Sequence, residues 1–210
     1  MNLGWRVAPL AELVDRLAAV SPGRPAVVAV NGHSSSGKTT LAGRLAAALP
    51  GAAVLHTDDL AWHHGVLSWD ELLRDDVLPT VRAGAPLDYR PPQWRARGRT
   101  DSIMLPGGLG FLLVEGVGAS QPSIRAGYDL VIWVETEEPT RSARDVVRLA
   151  AGEMSAAGFE GWMAEENAYT TRERPWEHAD LLAYGGESIP YDRRTEVVVG
   201  GAAGGWPKPT

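Results

Sequence analysis

Eight consecutive residues, Gly32-His33-Ser34-Ser35-Ser36-Gly37-Lys38-Thr39, carry the spacing G-x-x-x-x-G-K-[ST] of a phosphate-binding loop. Each position has a physical reason. Glycines and small residues let successive N–H groups converge on phosphate oxygens, and a helix that follows points its positive end at the same spot. In this pattern Lys38 reaches the β- and γ-phosphates and the Thr39 hydroxyl holds Mg²⁺. Gly32 through Thr39, together with Thr40, are therefore the candidate contacts to a nucleotide. The plainer alternative is a Gly/Ser connection between a strand and a helix. Lys38 argues for the chemistry: the chain has two lysines beside 18 arginines, and the other, Lys208, lies near its end.

Phosphoryl transfer also needs a metal ligand and a group to take the proton of the attacking hydroxyl. In a parallel sheet such groups sit at the C-terminal ends of strands. Asp58 and Asp59 end one apolar run, and Glu115, followed by Gly116, ends another. The aspartates read as a base, with Asp59 supporting Asp58 or Mg²⁺, or else as caps of the next turn. Glu115 reads as a metal-side group, or as a solvated loop carboxylate. Arg90, Arg95, Arg97 and Arg99 surround Trp94. They suit an anionic or planar acceptor held by ion pairing and stacking, and equally a solvated hairpin edge. Trp62, His63 and His64 follow the proposed base, where a pocket mouth would lie. No third ligand at convincing spacing makes the His pair a metal site. Trp133 reads as core, and Trp162 and Trp176 receive no role.

The elements that must position these groups alternate. Leu10, Leu13, Val14 and Leu17 recur at helical spacing. Ala26 to Val30 is a uniformly apolar, β-branched run of the buried parallel-strand type, and Thr40 to Leu49 is a helix closed by Pro50-Gly51. Strands are expected over Ala53–His56, Phe111–Val114, Leu130–Val134 and, last, Leu181–Tyr184. Helices are expected over Trp69–Arg82 with a break at Pro79, over Pro139–Ala150 and over Glu160–Arg172. This order predicts an α/β fold: a parallel sheet with helices on both faces. Arg90–Leu105 is a polar excursion that reads as a hairpin. The expected organisation is one domain over 1–200, with an acceptor-side excursion at about 86–106, a lid at about 148–160 and a flexible tail over 201–210.

The chain of 210 residues, with 44% hydrophobic and 22% charged residues, has globular usage and room for a sizeable core. Its net charge of −6 argues against a nucleic-acid or membrane partner, both of which need surplus basic charge. Without cysteine, disulfides, thiolate metal sites and cysteine nucleophiles are excluded. Arg6, Glu12, Asp15 and Arg16 interrupt the first twenty residues, so a cytoplasmic location is expected rather than a secretory one. Homo-oligomerisation stays open.

Taken in order, these motifs resemble the uridine kinase-like branch of P-loop small-molecule kinases, which includes pantothenate and ribulose-phosphate kinases. The matching pieces are the Gly32–Thr39 loop, His56-Thr57-Asp58-Asp59-Leu60, Trp69-Asp70-Glu71-Leu72-Leu73 and Leu113-Val114-Glu115-Gly116-Val117. Further on come Thr140-Arg141-Ser142-Ala143-Arg144 and Pro175 with Ala179-Asp180-Leu181, so the likeness runs from about Ala26 to Leu182. The resemblance implies a mononucleotide-kinase-like core that uses MgATP to phosphorylate a hydroxyl of a small molecule. Asp58 falls on the family's base, Lys38 on its loop lysine, Thr39 and Glu115 on its magnesium side. Arg141, Arg144 and Arg148 precede the lid, with Arg148 the preferred lid arginine closing on the phosphates. Pro92-Gln93-Trp94 stands where uridine kinases carry Tyr-Asp-Phe, and Arg97 about where they carry a histidine. The expected acceptor is nucleoside-like. The alternatives are a pantothenate, sugar or antibiotic acceptor, or a nucleotide-binding regulatory module without transfer.

Overall fold

In the computed structural model, which describes residues 4–20, 23–153 and 155–200, the apolar runs become the centre of a seven-stranded sheet. The strands are β1 (Arg6–Pro9), β2 (Ala26–Gly32), β3 (Ala52–His56), β6 (Phe111–Glu115), β7 (Leu130–Glu135), β8 (Leu181–Tyr184) and β9 (Glu196–Gly200). Their order is β1-β9-β8-β7-β2-β6-β3. From β8 to β3 all neighbours are parallel, and β9 joins antiparallel to both β8 and β1.

The helices are α1 (Leu10–Ala19), α2 (Lys38–Ala48), α3 (Thr57–Ala61), α4 (Leu78–Arg82), α5 (Pro92–Ala96), α6 (Pro122–Arg125), α7 (Glu138–Ala150) and α8 (Ala156–Glu173). They cover both faces, and the period of two along each strand divides the core. Val27, Ala29, Leu112 and Val114 pack with Leu60, Trp69, Leu73 and Val77 on one side. Val28, Val30, Leu113 and Ile132 pack with Leu13, Leu17, Leu41 and Leu45 on the other. Double coverage is why these strands read as unbroken apolar runs.

Two expectations are corrected and a third is refined. The sheet does not end at β8: β9 and β1 extend it with antiparallel strands that lie outside the strand–helix alternation. The helix beginning near Trp69 does not break at Pro79. A π-turn over Leu72–Val77 precedes it, and Leu78 N–H reaches back to Leu73 O. Pro79 then falls in the first turn of α4, where a missing N–H costs little. The 90–105 excursion is a short antiparallel pair, β4 (Leu87–Tyr89) with β5 (Ile103–Leu105), that carries α5 between its strands. The proposed tail, 201–210, lies outside the described residues.

Candidate active site

The loop after β2 is held from behind by Asn31, fully buried at the end of the strand. Its Oδ1 accepts the N–H groups of Gly32 (2.8 Å) and Gly118 (3.1 Å), and its Nδ2 donates to Ser120 Oγ (2.7 Å) and Tyr169 OH (3.3 Å). One side chain thus joins the exits of β2 and β6 to α8. Gly32 has no room for a side chain, since a Cβ would lie 2.6 Å from Val134 O. Ser35 takes a left-handed conformation, φ 56°, and is anchored twice. Its Oγ donates to buried Asp145 (2.5 Å), and its carbonyl accepts from Arg144 (3.0 Å). Thr136 Oγ1 donates to Ser36 O at 2.8 Å. In α2, Leu41 N–H reaches Gly37 O (3.0 Å), while the N–H groups of Lys38, Thr39 and Thr40 lie in the first turn, without intrahelical acceptors. These three residues line a cavity of about 500 Å³.

Lys38, Asp58 and Glu115, the candidate reactive groups, line the same cavity. Parallel register sets His56 beside Glu115. Thr39 Oγ1 donates to Glu115 Oε1 (3.0 Å), and His56 Nδ1 meets Glu115 Oε2 (2.7 Å). Burial pushes the Glu115 carboxyl up, but the His56 hydrogen bond, Lys38 and Thr39 together hold it below its ordinary range. The hydrogen bond to Glu115 raises the His56 imidazole against the effect of its own burial. Asp58, in the first turn of α3, is raised by burial and by the Glu115 charge, with Lys38 pulling the other way. Lys38 is itself lowered by burial, opposed by Glu115, Glu166 and Asp58, and its Nζ donates to His33 O at 2.6 Å. Gly116 makes the juxtaposition of α3 and β6 feasible: its φ is 154°, and a Cβ there would collide with Thr57 Oγ1.

Among the described residues no cluster of three or more His, Cys, Asp or Glu forms a metal cage. A magnesium ion bridging nucleotide phosphates does not need one, because it takes one or two protein oxygens and completes its shell with phosphate and water. The hard oxygens of Thr39 and Glu115, 3.0 Å apart, with Asp58 on the same cavity wall, fit that donor set.

Arg144 and Arg148 also line the cavity. Arg144 donates to Ser35 O and Gly185 O at 3.0 Å each, and Arg148 Nε pairs with Glu153 at 2.8 Å. The expected lid is the join of two helices, α7 running through Arg148 to Ala150 and α8 starting at Ala156. Several candidates lie elsewhere. Gly32, His33 and Ser36 support the loop from within and do not line the cavity. His33 turns to Glu166 and sets its ring edge-on to Trp133, 5.2 Å between centroids.

Asp59, Trp62, His63, Trp94 and Arg97 do not line it either. Trp94 is 2% exposed, its indole N–H is committed to Asp59 O (2.8 Å), and the Arg99 guanidinium lies 3.2 Å from its ring centroid. An indole so covered is core rather than an open stacking platform. Trp62 packs edge-on against Trp94 and His63, and Arg97 projects from the end of α5 into solvent. Arg44, Tyr191 and Arg193 also line the cavity and belong to no sequence motif.

Sequence reasoning also missed Asn31, Asp145, Trp162 and Glu166. Asn31 alone left a signal, a polar residue closing an apolar strand directly before the loop. The other three are ordinary helix residues until folding brings α7 and α8 onto residues 33–35.

No protein-family model matches the chain, and none of the curated proteins compared with it matches. Solved structures do match by fold. A "possible uridine kinase" from Bacillus stearothermophilus superposes with a TM-score of 0.54 at 20% identity, covering 82% of this chain and 98% of that one. A "putative fructose transport system kinase" from Silicibacter sp. TM1040 gives 0.51 at 21% identity, covering 81% and 94%. The chain shares the α/β fold of these two structures.

Proposed function

We propose that this protein is a phosphotransferase that moves the γ-phosphoryl group of ATP to a hydroxyl of a small, nucleoside-like metabolite. The observation that carries the reading is the meeting, in one cavity, of a P-loop lysine, a Thr–Glu oxygen pair and an aspartate whose carboxyl is raised by burial and by the Glu115 charge. A mere nucleotide binder has no need of the last of these. Bound MgATP supplies the phosphoryl group and the divalent charge that offsets its oxygens.

The chain's own residues do the rest. The N–H groups at the start of α2 and the Lys38 ammonium grip the phosphates. Thr39 and Glu115 hold the metal side, with His56 fixing the Glu115 rotamer through its second oxygen. Asp58 orients the acceptor hydroxyl and takes its proton. Arg148 and Arg144 bring positive charge over the transferring group and help exclude water. In this reading 1–200 acts as one catalytic unit, with the acceptor approaching from the side of Asp58. The reading goes with a cytoplasmic location, where ATP is supplied. Among the described residues no helix is long and apolar enough to cross a membrane.

One observation favours the second reading, a non-nucleoside acceptor such as a sugar, pantothenate or an antibiotic. Trp94, which stands where uridine kinases present their base-contacting element, is buried under Arg99. The neighbour described as a "putative fructose transport system kinase" is in keeping with this reading. The test is ADP release from MgATP screened across nucleosides, sugars, pantothenate-like acids and aminoglycosides. Acceptor-dependent release with one class identifies it. MgATP binding without such release across the panel would instead mark a regulatory module.

A further inference from the structure

Glu166 is fully buried on α8, yet it belongs to no motif and to none of the roles above. Its carboxylate accepts the Ser34 N–H through both oxygens (3.1 Å each), His33 Nδ1–H at 2.8 Å and the Trp162 indole N–H at 3.2 Å. Trp162 also donates to Ser34 Oγ at 2.8 Å and lines the cavity. Burying a carboxylate beside a site meant for a polyanion is doubly costly, through desolvation and through repulsion of the ligand. A staple between helix and loop could be made with a neutral amide at less cost. What the charge adds is exclusion: an anion on the Ser34 N–H repels a phosphate that could displace a neutral amide oxygen from it.

We propose that Glu166 is a positioning residue that serves as a built-in anion on the Ser34 N–H, so that a bound polyphosphate starts its contacts at Ser35 and its terminal phosphate is held in register with Asp58. The assignment rests on the nucleotide-binding reading given above. By the same bonds Glu166 and Trp162 tie α8 to the loop, so the helix and the phosphate register move together.

Glu166→Gln is the informative variant. Its amide oxygen can still accept from Ser34 and Trp162 while its NH₂ donates to His33 in the other tautomer, so the fold is retained. In ¹⁵N spectra of the full chain titrated with MgATP, the amides of Gly37, Lys38, Thr39 and Thr40 should shift while Ser34 N–H and the Trp162 indole N–H stay in place. In Glu166→Gln the Ser34 amide, held only by a neutral oxygen that a phosphate can displace, should join the responding set. Calorimetric affinity for MgATP should tighten about threefold as a like charge is lost. Basal ADP release from MgATP alone should fall about tenfold as the terminal phosphate loses its register. Glu166→Ala should show the same split with a lower melting temperature.

Three results would overturn the assignment. One is a wild-type Ser34 amide that shifts as far as that of Gly37. Another is a Glu166→Gln protein with wild-type affinity and turnover. The third is a loss of melting temperature alone, which would leave Glu166 a plain staple. If no loop amide responds to MgATP in the wild type, the nucleotide reading itself falls, and this assignment with it.

Discussion

Lys38 and Asp58 line the same cavity, and in the proposed reaction they serve different steps, so substitution should separate them. Lys38→Ala removes the ammonium that meets the phosphates, so both MgATP affinity and transfer should drop, transfer by about 10²-fold or more. Asp58→Asn keeps the shape and loses the proton acceptor. Acceptor-dependent ADP release should fall by about 10² to 10⁴-fold while the calorimetric affinity for MgATP stays near wild type. Turnover close to wild type in Asp58→Asn would remove it from the base role. Glu166 gives a prediction in acid. Burial alone would raise its carboxyl, but bonds from His33 and Ser34 hold it at about 2, well below the ordinary 4.5. A depressed carboxyl adds stability that is present above its unfolded value and lost as pH falls through its folded one. Urea midpoints should therefore decline between pH 4.5 and about 2 more steeply in wild type than in Glu166→Gln; equal slopes would count against the ionised cap. These residues also mark what was legible in the sequence. Lys38, Thr39, Asp58 and Glu115 could be read because their chemistry follows from short spacing and from the ends of apolar runs. Asp145 and Glu166 could not, because an acid on a helix looks like a solvated face until the chain returns 110 to 133 residues later to the loop.

At the scale of elements, the site depends on the fit of α3 against the turn after β6. Thr57 opens α3 and fills the space that a side chain at 116 would need. Gly116→Ala must push Thr57, and with it Asp58, away from Glu115. The cost should be about 2 kcal/mol in chemical denaturation, as for other overpacked sites. Transfer should fall well beyond what the residual folded fraction explains, because a displacement of about 1 Å misplaces the base. A Gly116→Ala protein with intact turnover would show that α3 can shift without harm to the site. The same scale shows why some elements were readable and others were not. β2, β6 and β7 are covered on both faces and therefore announce themselves as apolar runs. α3 is five residues long, too short for a period, and the π-turn before Pro79 is a backbone choice that no side-chain pattern encodes. Trp94 is hard to read from the sequence for a related reason. An indole among arginines has the composition of a binding face, and only packing reveals that Arg99 already covers it.

For the whole molecule, the two ends of the described chain complete the sheet together. β1 pairs with β9 from Arg6↔Val199 to Pro9↔Glu196, and β9 in turn pairs with β8. Val197, Val198 and Val199 are at most 2% exposed, and Val197 and Val199 join Leu13 and Leu17 of α1 in one core. Burying a valine is worth roughly 1.5 to 3 kcal/mol, so the strand supplies several kcal/mol out of a typical total of about 5 to 15. A chain that stops at residue 194 loses β9, strands β1 without a partner and exposes the inner face of α1. It should fail to unfold cooperatively, and calorimetry should show a broadened or absent transition. Val198→Ala, which trims one side chain and keeps the strand, should cost only about 1 to 2 kcal/mol and leave MgATP affinity unchanged, because β9 pairs at Val198 far from Asp58 in the strand order. A sharp, wild-type-like transition in the truncated chain would mean that the parallel strands from β8 to β3 form a self-sufficient core and that the closing strands are an embellishment.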